Sequence, residues 1–221
     1  MIASRAWFKP VAAVFRSSSS DVRQMRMQVA RLCVLYEDLQ VEFAGALAER
    51  LGELDRTNVS SRRFNFVRRS LATLTEIEGS MTKLQMNKEF VAEKARWGPE
   101  SIRTWDASVK FFARGHAFLK DWRNDVGGHF HDSAAHYAID NMHGDTIGSV
   151  EVYRRGNGSD VRMPFAYELV AVALTKNKDG AEQERDFLEK AFQFLVDASG
   201  AGIGAVQVIV REMILPRFQS T

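Results

Sequence analysis

The stretch DWRNDVGGHFHDSAAH, residues 121–136, concentrates the side chains of this sequence that are best suited to chemistry. Arg123 and Asn124 precede two adjacent glycines, and His129 follows them. A histidine titrates near neutral pH and can carry a proton in a reaction. An arginine presents a planar fork of N–H donors that matches phosphate oxygens. These residue types indicate phosphate-ester chemistry, in which Arg123 holds the phosphate, His129 moves the proton and Asn124 orients them.

The segment RNDVGGH, residues 123–129, resembles the signature of the HEPN superfamily, in which an arginine and a polar residue precede a histidine by a few positions. The resemblance extends loosely from Val22 to Met142, and only the short motif is specific. It implies a helical bundle and, in active members, a metal-independent ribonuclease that pairs two motifs across a homodimer. The resemblance thereby implies that Arg123, Asn124 and His129 are catalytic and that no cofactor is needed. It also implies a place in a toxin or defence system, with RNA and an antitoxin as partners.

The same residues also fit a structural role, and many members of that superfamily have lost catalysis. An arginine and an asparagine at a helix end can cap carbonyl groups and pair with nearby carboxylates, here Asp121, Asp125 and Asp132. Gly127-Gly128 would then only permit a bend, and His129 would donate to a backbone carbonyl. The alternative function is a non-catalytic helical interaction protein in which Arg123, Asn124 and His129 lock a helix junction.

A metal site is a second alternative for this region. If a helix begins near Asp132, one of its faces carries four possible ligands at steps of four, four and three, namely Asp132, His136, Asp140 and His143. Imidazole and carboxylate groups suit zinc, iron or manganese. Neither an HExxH nor an ExxH pattern occurs, so we favour no metal.

A second basic feature, SSRRFNFVRR, covers residues 60–69. Aromatic and basic side chains together can bind single-stranded nucleic acid. The candidate nucleic-acid ligands are Arg62, Arg63, Arg68 and Arg69. The helical spacing also fits an amphipathic helix whose phenylalanines, Phe64 and Phe66, enter the core while the arginines stay in solvent. The RNA interpretation requires this segment and RNDVGGH to lie on one surface.

Composition limits the classes of protein to consider. The chain has 221 residues and a net charge of +2, which is too small to indicate a nucleic-acid partner by itself. The sequence contains a single cysteine, Cys33, which excludes an internal disulfide and indicates a reducing, cytoplasmic location. Because Cys33 lies within the apolar run RLCVLY, we expect no cysteine nucleophile. The most apolar stretch, residues 195–215, contains Asp197, Arg211 and Glu212, so we expect no membrane span.

The elements that position these residues are predicted to be long helices. Residues 1–20 form an N-terminal arm, and residues 21–221 form a single helical-bundle domain. Apolar residues at three- and four-residue steps predict one helix from Asp21 to about Leu54 and another that starts at Thr57 or Asn58. Pro99 opens a third helix, which weakens at Gly127-Gly128, and Asp132 caps a short fourth helix.

The pattern changes after residue 145. β-Branched residues on both sides of GNGS predict a β-hairpin near 146–163, with Asn157-Gly158 at its turn. Pro164 opens another helix, and a last long helix runs from about Ala181 to Leu215. Its segment SGAGIGAV, residues 199–206, follows a helical pattern, so we expect a close helix approach or a kink there and no nucleotide-binding loop. The predicted fold class is all-α, an antiparallel helical bundle with a small inserted hairpin.

Overall fold

The structure is a computed structural model that describes residues 15–17, 19–47, 56–127, 130–146, 150–155, 158–162, 165–177 and 184–219. Most of the predicted N-terminal arm lies outside the described residues. The described part is mainly helical, which confirms the all-α class and the helical bundle predicted from apolar periodicity.

Eight α-helices occur in the described ranges: α1 (Ser20–Leu47), α2 (Arg56–Met86), α3 (Lys88–Lys94), α4 (Pro99–Trp122), α5 (Asp132–Asn141), α6 (Phe165–Leu174), α7 (Glu184–Ile209) and α8 (Leu215–Gln219). π-Helical turns follow α4, at Arg123–Gly127, and α7, at Val210–Ile214, and a 3-10 turn follows α6, at Thr175–Asn177. Two strands, β1 (Glu151–Arg155) and β2 (Gly158–Arg162), pair antiparallel, with Glu151 opposite Arg162 and Arg155 opposite Gly158. The predicted end of the first helix near Leu54 lies outside the described residues.

The boundaries of the middle helices follow from their capping residues. Pro99 is the first residue of α4, as predicted, because proline has no N–H to donate and its fixed φ suits a first helical turn. A break that the periodicity did not reveal separates α2 from α3 at Asn87. The Asn87 side chain accepts a hydrogen bond from the Phe90 amide at 3.0 Å, which caps α3. Its Nδ2 donates to the Asp21 carbonyl at 3.0 Å and so ties this break to the start of α1.

The chain divides into two compact units. Unit 1 comprises residues 1–40, 73–116 and 198–221. Its core includes a cluster of three aromatic rings, Phe90, Trp97 and Trp105, whose centroids lie 5.0–6.0 Å apart. The Ser108 hydroxyl donates to the Ala201 carbonyl at 2.9 Å, which links α4 to α7 within this unit.

The glycine-rich segment of α7 belongs to unit 1 and is helical throughout, as predicted. Gly202 is buried, and a Cβ at that position would meet Ile77 Cδ1 at 3.4 Å and Leu39 Cδ2 at 3.5 Å. The missing side chain therefore lets α7 approach α1 and α2 closely, which confirms the predicted close approach. Gly200 is different, because a Cβ there would have nothing within 4 Å.

Unit 2 comprises residues 41–72 and 117–197. Aromatic contacts hold its helices together: the Phe66 ring lies 6.2 Å from that of Phe43 and 5.9 Å from that of Phe192. Helix α5 packs against α6, and the π-turn Arg123–Gly127 contacts both. This unit contains both RNDVGGH and SSRRFNFVRR.

One helical stretch in the described part, Asp186–Phe218, is long and apolar enough to cross a membrane by length and composition. Its most apolar window is 44% buried. The core helix of a folded domain passes the same test, so the absence of a membrane span stays a prediction.

Candidate functional site

The RNDVG segment forms a π-helical turn, Arg123–Gly127, that directly continues α4. Such turns insert an extra residue into the helical ladder and are frequent at functional sites. The preceding residue, Trp122, is only 2% exposed, and its ring centroid lies 4.1 Å from that of Phe118 and 5.7 Å from that of Phe187. Because Trp122 is held in the core, the turn begins from a fixed point.

Asp125 is the inward-facing polar residue of the turn, at 9% exposure. Its carboxylate oxygen Oδ1 lies 2.9 Å from Lys176 Nζ, which comes from the 3-10 turn after α6. The same ammonium group lies 3.4 Å from the Ser133 hydroxyl at the start of α5. A partly buried carboxylate is costly without a cationic partner. Lys176 therefore stabilises the turn and connects three segments of unit 2.

A second cation holds the backbone of the turn. Arg68 Nε donates to the carbonyl oxygen of Val126 at 3.1 Å. Val126 itself is fully buried. Since a π-turn leaves carbonyl groups outside the regular helical ladder, a donor from another helix is an effective way to satisfy one of them. Arg68 belongs to SSRRFNFVRR, so this hydrogen bond joins the two sequence features that were singled out as candidate RNA ligands.

Helix α5 restarts the chain after the turn, with a different cap from the one predicted. Asp132 is the first residue of the helix, and His131 is the N-cap. The Nδ1 atom of His131 accepts from the Ser133 amide at 3.5 Å, and the His131 amide donates to the Asp125 carbonyl at 3.2 Å. The prediction of Asp132 as the cap was wrong, because the imidazole nitrogen of the residue before it accepts from the Ser133 amide in the first turn.

The structure describes two of the three predicted catalytic residues, Arg123 and Asn124. Arg123 and Asn124 are exposed on the π-turn, and Arg123 has interactions of its own within the fold. His129 and Gly128 lie outside the described residues. The described half of the motif thus has its carboxylate, Asp125, directed inward onto Lys176, while its arginine and its amide face solvent.

Among the four candidate nucleic-acid ligands of residues 60–69, the two described side chains differ in exposure and in their contacts. Arg69 is exposed, whereas Arg68 is half-buried and donates to Val126. Arg62 and Arg63 lie in α2, and their side chains are outside the described part. Phe66 is 3% exposed, which confirms that this phenylalanine enters the core.

The candidate metal ligands lie on or after α5, and each of them is exposed: Asp132, His136, Asp140 and His143. Across the ranges that the structure describes, no group of three or more His, Cys, Asp or Glu side chains is placed to hold a metal ion. The structure does not bring these four side chains together.

Sequence reasoning missed Lys176 and the inward role of Asp125. Lys176 stands in the loop sequence TKNKDG, about 50 positions after the motif, and a lone lysine in such a segment carries no pairing signal. Its partner is set by the packing of α6 on α5, which the amphipathic pattern of either helix does not specify.

The arrangement presents a cation and an amide on a turn whose only described carboxylate, Asp125, is already paired. Such a surface can accept an anion, because exposed arginine N–H groups match phosphate oxygens in number and geometry. The chain matches no protein-family model, no curated protein and no solved structure.

Proposed function

We propose that this protein is a HEPN-like RNA-binding protein that cleaves RNA without a metal ion, through Arg123, Asn124 and His129. The observation that carries the proposal is the hydrogen bond from Arg68 to the Val126 carbonyl. It supports a single surface for the basic segment of α2 and the RNDVGGH motif. The exposed side chains of Arg69, Arg123 and Asn124 supply polar groups for a phosphate in the same unit.

The pairing of Asp125 supports the proposal on electrostatic grounds. A carboxylate next to a phosphate site opposes RNA binding by charge repulsion. Lys176 lies 2.9 Å from this carboxylate, whose side chain is only 13% exposed. The pair therefore neutralises the carboxylate that lies within the turn itself, while Arg123 of the same turn is exposed.

The proposed reaction uses the RNA's own 2′-hydroxyl as the nucleophile. His129 accepts the proton of that hydroxyl while its oxygen bonds to the adjacent phosphorus, and the bond from phosphorus to the 5′-oxygen breaks. Arg123 donates hydrogen bonds to the phosphate oxygens, where negative charge accumulates in the transition state. The leaving 5′-oxygen takes a proton from water, the protonated His129 releases its proton to the solvent, and the products are a 2′,3′-cyclic phosphate and a 5′-hydroxyl.

The wider assignment follows the same resemblance. The active form is a homodimer in which two motifs face each other, in the cytoplasm, as part of a toxin or defence system with an antitoxin as protein partner. The long helices run antiparallel, and the β1–β2 ribbon is an insertion into the bundle that packs on it or on the second subunit.

A second candidate function is a non-catalytic helical interaction protein. The Lys176–Asp125 pair and the contact of Lys176 with Ser133 favour this function, because they stabilise the helix junction whether or not the protein binds RNA. The sequence hypothesis assigned that locking role to Arg123, Asn124 and His129. Arg68, Lys176 and Asp125 make links that hold the junction. Because Arg123 and Asn124 lie exposed on the turn, we favour RNA.

The experiment is cleavage of a labelled single-stranded RNA by the purified protein in the presence of EDTA. We expect fragments with 2′,3′-cyclic phosphate ends. An all-deoxy oligonucleotide of the same sequence, which lacks the nucleophile, is expected to remain intact. Cleavage that requires a divalent ion, or equal cleavage of the deoxy strand, would contradict the proposed reaction, and the absence of any cleavage would favour the second candidate.

A further inference from the structure

The exposed face of α4 within unit 1 is basic and free of large apolar side chains. Arg103, Lys110 and Arg114 are exposed and follow one another at steps of seven and four residues, which places them on one side of the helix. Ala107 lies between the first two and is also exposed. We call these three cations the α4 basic face. With a rise of about 1.5 Å per residue, they span about 16 Å along the helix axis.

The carboxylate on this stretch of α4 is already neutralised. Between residues 103 and 116 the sequence contains one acid, Asp106, and its Oδ1 lies 2.7 Å from Lys94 Nζ. The other acid near the start of the helix is Glu100, in its first turn. The α4 basic face therefore carries three positive charges along a length of helix whose single negative charge is paired from the side.

Carboxylates from the neighbouring helices are also engaged. Glu78 of α2 accepts from the Thr82 hydroxyl at 3.3 Å and lies 3.2 Å from His116 Nδ1, and its side chain is 16% exposed. Glu212 accepts from the Ser101 hydroxyl and lies 3.5 Å from Arg211 Nε. Glu78 and Glu212 thus each have a donor of their own.

We infer that the α4 basic face binds the phosphate backbone of single-stranded RNA, independently of base identity. The inference rests on the proposed function and assigns a substrate-holding surface to it. Base readout by stacking needs exposed aromatic rings, whereas Trp105 and Phe112 of this segment are buried on the opposite side of the helix and Phe111 is half-buried, with its ring 6.0 Å from that of Phe112. Cations alone contact phosphates, which carry no sequence information.

The same composition argues against a lipid surface as the partner. A helix that lies on a membrane presents tryptophan, phenylalanine or leucine beside its cations, so that these side chains enter the acyl boundary. Here the exposed apolar positions beside the cations, 107 and 113, are alanines. An alanine also leaves room for an extended strand to lie close to the helix between the cationic side chains.

The test is the salt dependence of RNA binding, measured by fluorescence anisotropy with labelled oligouridylate and oligoadenylate. All proteins carry His129→Ala so that the RNA stays intact during the titration. Each phosphate neutralised on a single strand contributes roughly 0.7 to the slope of log Kd against log salt. The variant Arg103→Gln/Lys110→Gln/Arg114→Gln is therefore expected to reduce that slope by about 2. Both oligonucleotides should bind the parent with similar affinity.

The matched control removes three exposed cations from α2, α3 and the turn after it, as Lys83→Gln/Lys88→Gln/Arg96→Gln. It changes the net charge equally and is expected to leave the slope close to that of the parent. Melting temperatures of both variants establish that the fold is retained. The inference is overturned if the slope of log Kd against log salt falls equally in the two triple variants, or if the α4 variant binds RNA like the parent. It is also overturned if the parent binds phosphatidylserine vesicles and not RNA.

Cleavage by the protein with an intact His129 separates this inference from the proposed function. A protein that cleaves RNA but binds it without the three cations contradicts the inference alone. A protein that binds RNA through the α4 basic face but never cleaves it contradicts the catalytic proposal alone.

Discussion

Lys176 Nζ lies 2.9 Å from Asp125 Oδ1, and this ion pair connects the end of α6 to the π-turn that carries Arg123 and Asn124. The two residues are separated by 51 positions in the sequence. Their side chains are 30% and 13% exposed, so the pair is partly withdrawn from solvent, and loss of one partner would leave the other charge uncompensated. The pair makes the geometry of the turn depend on the packing of α6.

Substitution of Lys176 is the first test of this dependence. Lys176→Met keeps the length of the side chain but leaves the Asp125 carboxylate without its cation, and we expect the free energy of unfolding to fall by about 2 kcal/mol. Urea denaturation measures the change. The control Lys120→Met removes an exposed lysine of the same unit and should change the stability by less than about 0.5 kcal/mol. Equal effects of the two substitutions would show that the ion pair does not hold the turn.

Neighbouring arginines of α2 provide a second matched pair of variants. Arg68→Met removes the donor to the Val126 carbonyl and is expected to cost about 1–2 kcal/mol of stability, because that carbonyl is buried. Arg69→Met alters an exposed side chain and should be nearly neutral. Hydrogen exchange of the amides from Asn124 to Gly127 should quicken only in the Arg68 variant. Unchanged exchange in that variant would contradict a role for Arg68 in the turn.

The sequence predicted the helices well because burial of an apolar stripe repeats at fixed steps, and Pro99 marked a boundary through its missing N–H. It did not reveal the break at Asn87, where an amide side chain caps α3 within a continuous apolar pattern. The candidate site stays a prediction. The types and spacing of Arg123 and Asn124 singled them out in the sequence, whereas the link from Lys176 to Asp125 depends on tertiary packing that local patterns do not encode.

Gly202 gives a test of the close approach of α7 to its neighbours. Gly202→Leu forces a side chain toward Leu39 and Ile77, which lie about one contact distance from the position of a Cβ, and should lower the stability by about 2 kcal/mol. Gly200→Leu meets open space and should raise the stability by somewhat less than 1 kcal/mol, because leucine favours a helix more than glycine does. Thermal unfolding compares the two. A Gly202→Leu protein as stable as Gly200→Leu would mean that α7 does not need the space.

The reactivity of the Cys33 thiol tests the prediction that this chain has no cysteine nucleophile. Burial of the thiol, with a smaller contribution from the negative charge of Glu37, raises its pKa from 9.0 to about 11. The thiolate fraction near neutral pH is therefore about 100-fold lower than for an ordinary thiol, and alkylation by iodoacetamide should be slower by at least about that factor than in the urea-unfolded chain.

The same shift has a defined sign for stability. The folded protein holds the thiol proton more tightly than the unfolded chain, so this contribution is fully present below pH 9.0 and is lost as the pH rises toward about 11. Cys33→Ser should weaken that pH dependence. Equal alkylation rates for the folded and unfolded protein would contradict the raised pKa and would reopen the question of a reactive cysteine.

The most direct measurement of the central claim is the initial rate of single-stranded RNA cleavage in EDTA by the parent, by His129→Ala and by His136→Ala. If His129 transfers the proton and Arg123 holds the phosphate, His129→Ala loses at least about 100-fold in rate, with a melting temperature close to that of the parent. His136→Ala, which alters an exposed histidine of α5, keeps the parental rate. A parent that does not cleave, or a His129→Ala protein that cleaves as fast as His136→Ala, would contradict the account.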